Sequence, residues 1–255
     1  MPTIAVDGIS VHYATAGHGP VTLVLIHGSG GSAAVWQPQM DGLAGIAHIV
    51  AVELPGHGRT AGDGIGSIEQ AAAIVRGAVD TLGAGRVAIG GHSMGGAVAQ
   101  QFALDSPDRT AGCVLVGTGA RLRVMAKIFE LIDTDYPAAV HFITDRAVAP
   151  GASAAVRTSV YEQTLRTPAR VLRGDFAACH AFDVMDRVSD IRAPTLVVCG
   201  TEDELTPPKY AEFLRSRIAG AGLALVSGAG HYVQLERPTE VTRAIAGFLG
   251  TLMGR

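Results

Sequence analysis

The apolar positions of this chain change period repeatedly, and the changes divide it into short elements. "TIAVDGISVHYATAG" breaks into two strand-like runs around Asp7-Gly8, a pair suited to a tight hairpin turn. "VTLVLIHG" and "HIVAVELPGHG" open with unbroken apolar runs, the pattern of strands buried on both faces of a sheet. A helix is expected over Ala33 to Leu43, and helical spacing returns from Ile68 to Leu82. A strand from Arg86 to Gly90, a helix from about Ser93 to Leu104 and a strand from Gly112 to Val116 follow. Strands and helices that alternate through short connections predict a parallel sheet covered by helices.

The alternation stops at Thr118. From Arg121 to Val188 there is no buried-strand run, only helix-like pieces interrupted by Pro137, Pro150-Gly151 and Pro168. The strand pattern resumes with "APTLVVCG", then a helix opening at Pro207-Pro208, the short strand "LALV" and a last helix from about Pro238 to Met253. The expectation is one α/β core, residues 1–119 and 188–255, with a helical insertion over residues 120–187.

Composition narrows the class. At 255 residues, 48% hydrophobic and 17% charged, the chain can bury a substantial core. A net charge of -3 predicts attraction to neither nucleic acid nor a membrane surface, and no apolar run approaches membrane-spanning length. Cys113, Cys179 and Cys199 lack metal-ligand spacing and read as reduced, packed thiols. "MPTIAVDGIS" has neither the basic nor the apolar region of a signal peptide, so a cytoplasmic location is expected.

The chemistry concentrates in "GGHSMGG", residues 90–96. A serine that attacks a carbonyl must stand clear of its strand on a sharp turn into a helix, with tiny residues two before and two after it. Gly91 and Gly95 flank Ser93 at those positions, between a predicted strand and a predicted helix. The competing role for Ser93 is a helix cap. A serine hydroxyl also needs a base. Among nine histidines, His231 sits in "GAGHYVQLERP", after the last strand and before the last helix, at the sheet edge where Ser93 belongs. His92 is too close in sequence to Ser93 to approach it as a base, and His27 and His57 read as parts of loop architecture. An acid to orient the histidine is offered by "CGTEDELTPP", where Glu202, Asp203 and Glu204 all stand open. The Met94 amide, directly after the nucleophile, and an amide from the "HGSGGS" loop, best that of Ser29, could receive an oxyanion. That loop matches no phosphate-binding pattern.

In this order "HGSGGS", "LPGHGRT", "GGHSMGG", "PTLVVCGTEDELTPP" and "GAGHYVQLERP" resemble the α/β-hydrolase fold family over nearly the whole chain. The resemblance implies a mostly parallel sheet flanked by helices, with the insertion as a helical cap. It implies a triad of Ser93, Asp203 and His231, because the family's acid stands three residues past the glycine ending its strand, here Gly200. The residue after the early His-Gly lends the second oxyanion amide, which implies Ser29 beside Met94. Glu53 departs from the more usual "DLPGHG". A serine nucleophile sets the chain apart from relatives that use aspartate or cysteine. It leaves carboxylesterases, lactonases and carbon–carbon bond hydrolases, and a non-catalytic binding protein on the same fold. The first of these readings implies a small-molecule ester substrate and no metal or organic cofactor. Phe142, Phe176 and Phe182 are the expected apolar walls of the pocket.

Overall fold

In the computed structural model, which describes residues 2–254, Asp7 and Gly8 both adopt positive φ, 47° and 82°. That pair of conformations is what a type I′ turn requires, and it folds β1 (Thr3–Val6) back on β2 (Ile9–Ala16). β2 runs antiparallel to β4 (His48–Val52), and from there the sheet is parallel. β3 (Thr22–Ile26) lies between β4 and β5 (Val87–His92), followed by β6 (Thr110–Val116), β7 (Thr195–Gly200) and β8 (Gly222–Val226). The order across the eight strands is β1-β2-β4-β3-β5-β6-β7-β8. Every residue of β5 and β7 is buried, as unbroken apolar runs demand.

Alternation along the strands feeds two cores. Val24 and Ile26 of β3 pack with α2 (Ile68–Thr81) and α3 (Met94–Asp105) on one face. Leu23 and Leu25 pack on the other face with Trp36, α1 (Gln37–Leu43) and α10 (Pro238–Met253). The helix expected from Ala33 to Leu43 divides into a 3-10 turn, Ala33–Trp36, and α1. Pro38, with no amide to donate, sits in the first turn of α1, where helices restart most cheaply. α8 (Pro208–Arg217) and a short α9 (Val233–Glu236) complete the C-terminal part; α9 was not expected.

Between β6 and β7 stand α4 (Ala126–Thr134), α5 (Tyr136–Ala147), α6 (Ala154–Arg166) and α7 (Ala169–Ala181). The prolines that interrupt this stretch begin or separate its helices: Pro137 lies in the first turn of α5, Pro150 between α5 and α6, and Pro168 caps α7. Three of these helices, α4, α5 and α7, share a small core of Ile128, Ile132, Ala139, Ile143 and Leu172, while α6 packs Val160 into the core on the Trp36 side of the sheet. No described helix is long and apolar enough to cross a membrane.

Candidate active site

Ser93 is the single residue between the end of β5 and the start of α3, at φ 54° and ψ -116°. Such a conformation costs an L-residue free energy and persists only where its surroundings fix it. Here the Ser93 amide donates to the Val116 carbonyl (2.9 Å), while the Ser93 carbonyl accepts from the Gly96 amide (2.9 Å) and the Thr118 hydroxyl (2.8 Å). The Ser93 side chain makes no capping hydrogen bond, so the helix-cap role is not the one it fills. The flanking glycines are required by contact. A Cβ on Gly91 would collide with the Gly95 carbonyl, and one on Gly95 with the carbonyl oxygens of Ile26 and His27. Gly95→Ala is therefore expected to cost about 1–3 kcal/mol or more, as overpacking against backbone does. Thermal unfolding measures this, and an unchanged melting temperature would show that the loop after β3 yields.

His231 stands between β8 and α9, and its Nδ1 lies 2.9 Å from Asp203 Oδ2. The Asp203 carboxylate also accepts from the Leu205 amide (2.9 Å), the Thr206 amide (2.8 Å) and the Thr206 hydroxyl (2.8 Å). Four donors thus converge on a carboxylate that is 4% exposed, whereas Glu202 is exposed and Glu204 lies at a cavity mouth. With Nδ1 engaged, Nε2 of His231 is left for the cavity that His231 and Ser93 line together. Among the described residues neither Ser93 Oγ nor His231 Nε2 has a protein hydrogen-bond partner; ligand-free sites often close this contact only with substrate bound.

Three further groups hold the His231 loop. His92 donates from Nε2 to the His231 carbonyl (2.9 Å), and the two rings lie 4.6 Å apart. Burial, and then the neighbouring His231, push the His92 pKa well down, so the ring is a neutral brace rather than a base. The amides of His231 (2.8 Å) and Tyr232 (3.2 Å) both donate to the Ala147 carbonyl at the end of α5. Glu236 Oε2 accepts from the Gly230 amide (2.9 Å) and the Ala149 amide (3.1 Å), bridging the same two segments.

Across the cavity, Ser29 and Met94 are neighbours, with Ser29 Oγ 3.6 Å from Met94 Sδ. Neither donates its amide to a protein acceptor among the described residues. The loop carrying Ser29 is braced from below by two buried histidines. His27 donates from Nδ1 to the Gly28 carbonyl (2.8 Å) and accepts from the Leu54 amide at Nε2 (3.1 Å). Burial and the nearby charge of His57 lower its pKa to about 3, so it is neutral. His57 places Nε2 2.8 Å from Asp175 Oδ2 and Nδ1 3.0 Å from the Pro55 carbonyl. Burial opposes a charge on His57, but the Asp175 carboxylate outweighs it and its pKa is raised. Glu53, the departure noted in the sequence, is buried and accepts from the Arg59 amide (2.8 Å) and the Ala33 amide (3.4 Å), tying "LPGHG" to the loop beside it.

Asp175 was not singled out by the sequence. Its signal was a carboxylate in the apolar stripe of α7, among Val171, Leu172, Ala178 and Cys179, all buried. Of the three aromatic residues expected to wall the pocket, Phe176 lines the cavity of about 230 Å³, together with Met125, Ile128 and Tyr210. Phe142 and Phe182 do not. The Phe142 ring lies under the Arg146 guanidinium (3.6 Å) against the core of the inserted helices, because no residue of α5 reaches the cavity. Phe182 follows α7 and turns toward the sheet, where it is buried in the main core. Arg123, Glu204 and Lys209 lie at the mouth. Among the described residues no group of three or more His, Cys, Asp or Glu side chains converges as metal ligands.

Known proteins can be set beside this geometry. The sequence profile of the alpha/beta hydrolase family matches residues 23–244. A putative carbamate hydrolase of Variovorax paradoxus is 30% identical, the match covering 94% of this chain and 96% of that protein. The solved structure of a thermophilic esterase superposes with a TM-score of 0.89 at 33% identity, over 98% of this chain and 97% of that one. The enol-lactonase of Burkholderia xenovorans superposes with a TM-score of 0.88 at 26% identity, over 98% and 100%. A profile match over most of the length, on a sheet of this order, makes the assignment: the chain belongs to the alpha/beta hydrolase family.

Proposed function

We propose that the protein is a serine hydrolase that cleaves a small, largely apolar carboxylic ester through an acyl-enzyme. One observation carries the reading: a backbone-strained Ser93 and a histidine engaged by a buried carboxylate face the same cavity. In this mechanism His231 Nε2 takes the Ser93 proton as Oγ bonds to the carbonyl carbon, and the carbonyl oxygen becomes an oxyanion facing the Ser29 and Met94 amides. The same nitrogen returns the proton to the departing alkoxide, and water then repeats the sequence to release the acid. The inserted helices act as a cap over the site, and about 230 Å³ of space, small for a ligand pocket, favours a short acyl chain. A lactone is the second reading, favoured by the likeness to the enol-lactonase; a cyclic ester follows the same steps with its alcohol still attached.

The test is hydrolysis of p-nitrophenyl acetate, butyrate and octanoate beside a lactone panel and vinylogous diketones, each against Ser93→Ala. Turnover of none above the Ser93→Ala background would sink the proposal. Within the panel, Phe176→Ala is expected to move chain-length preference by about tenfold, since apolar contacts at a pocket wall discriminate by roughly 1–3 kcal/mol. Phe182→Ala is expected instead to cost about 3–5 kcal/mol of stability and leave preference unchanged, as truncation of a core aromatic does. An unaltered preference in Phe176→Ala would remove that residue from the wall.

A further inference from the structure

We propose that Asp175 and His57 are a buried positioning pair through which helix α7 fixes the donor loop of the oxyanion hole. The protonation state follows from the partners. Both ring nitrogens of His57 face groups that can only accept, the Pro55 carbonyl and the Asp175 carboxylate, so both carry hydrogen and the ring is a cation. Asp175 Oδ2 receives two donors, His57 Nε2 and the Gly30 amide, and Oδ1 is buried with no partner. Imidazolium and carboxylate are both fully enclosed, with side-chain exposures of 0%.

The second of those donors is the Gly30 amide, 2.9 Å from Oδ2. On its other side, the Gly30 carbonyl accepts from the Thr167 hydroxyl (3.0 Å), and Ser32 Oγ accepts from Gln163 Nε2 (2.6 Å). Gly30 is therefore held at its amide and its carbonyl by the inserted helices, one residue from the amide of Ser29. A glycine-rich loop has no stiffness of its own. An oxyanion donor works only when preorganised at about 2.7–3.1 Å from the developing charge. The charge of the pair anchors Asp175, and Asp175 anchors the loop; this role rests on the hydrolase reading above.

Asp175→Asn tests it by removing the charge while keeping the shape. Because removing one partner of a buried pair is destabilising, measurements belong well below the melting temperature of the variant. With p-nitrophenyl butyrate, kcat is expected to fall about tenfold or more with KM within about threefold, since outright loss of one oxyanion donor costs roughly 10²–10³. Phenylboronic acid, whose tetrahedral adduct uses the same donors, should lose affinity by the same factor as kcat. Hydrogen–deuterium exchange should accelerate in residues 28–32 and stay unchanged in residues 203–206. If Asp175→Asn does not accumulate folded, His57→Gln carries the same measurements: it keeps a donor toward Asp175, removes the charge together with the bond to the Pro55 carbonyl, and should lower kcat at least about threefold. A folded variant that loses melting temperature alone, with kcat, boronate affinity and loop exchange as in the wild type, overturns the proposal. Inactive wild-type protein would instead overturn the hydrolase reading, and the exchange measurement would still report on the loop.

Discussion

Replacing Ser93 with alanine is expected to lower kcat by several orders of magnitude, toward the roughly 10³–10⁴-fold advantage over water that binding and oxyanion donors supply alone. The fold should survive, because the hydroxyl caps nothing and the bonds that fix the turn are made by backbone and Thr118. A serine-directed phosphonate should add its mass once, on Ser93. The thiols do not compete for it: Cys113, Cys179 and Cys199 are buried, which pushes each pKa up to about 12, far from the thiolate a reactive cysteine needs. Mass added elsewhere with activity retained would show that another residue is the nucleophile.

The next largest effect belongs to Asp203→Asn, with an expected loss in kcat of about 10⁴, the scale seen when the acid of such a triad is neutralised. The carboxylate accepts at once from two amides, the Thr206 hydroxyl and His231 Nδ1. An asparagine must turn its own N–H groups toward some of these donors, or toward His231, where it would stabilise the wrong tautomer. Glu202→Gln and Glu204→Gln leave that network untouched and should change kcat by no more than a few-fold. Equal losses in all three variants would mean that the acid lies elsewhere.

The fold was written locally, and so was the proposed nucleophile. Buried parallel strands announce themselves as unbroken apolar runs, and the strand–turn–helix around Ser93 needs only seven consecutive residues to be recognised. The proposed acid was not local in this sense. Three carboxylates in a row fit the chain equally well, and the position of Asp203 came from resemblance; the amides of Leu205 and Thr206 that distinguish it exist only once the loop has turned. His57 and Asp175 are 118 positions apart, and His92 meets the His231 carbonyl across 139. No periodicity encodes such pairs. Two of the three expected wall residues lie elsewhere for a related reason: an aromatic on or beside an amphipathic helix must face something apolar, and sequence does not say whether that is a cavity or a neighbouring element, which is where Phe142 and Phe182 part from Phe176.

The bonds from Ala147 and Ala149 to the His231 loop bear on how this molecule can be recombined. Helices α5 and α6 contribute nothing to the cavity surface, yet the end of α5 accepts the His231 amide. The inserted helices are thus not one exchangeable module. A chimera that imports the whole stretch from a relative replaces the supports of the histidine and of Gly30 along with the cavity wall. One that imports only residues 122–132 changes the wall at Leu122, Val124, Met125 and Ile128 and leaves every support in place. Crossover points inside that segment should therefore yield variants that differ in substrate choice while keeping their catalytic rate.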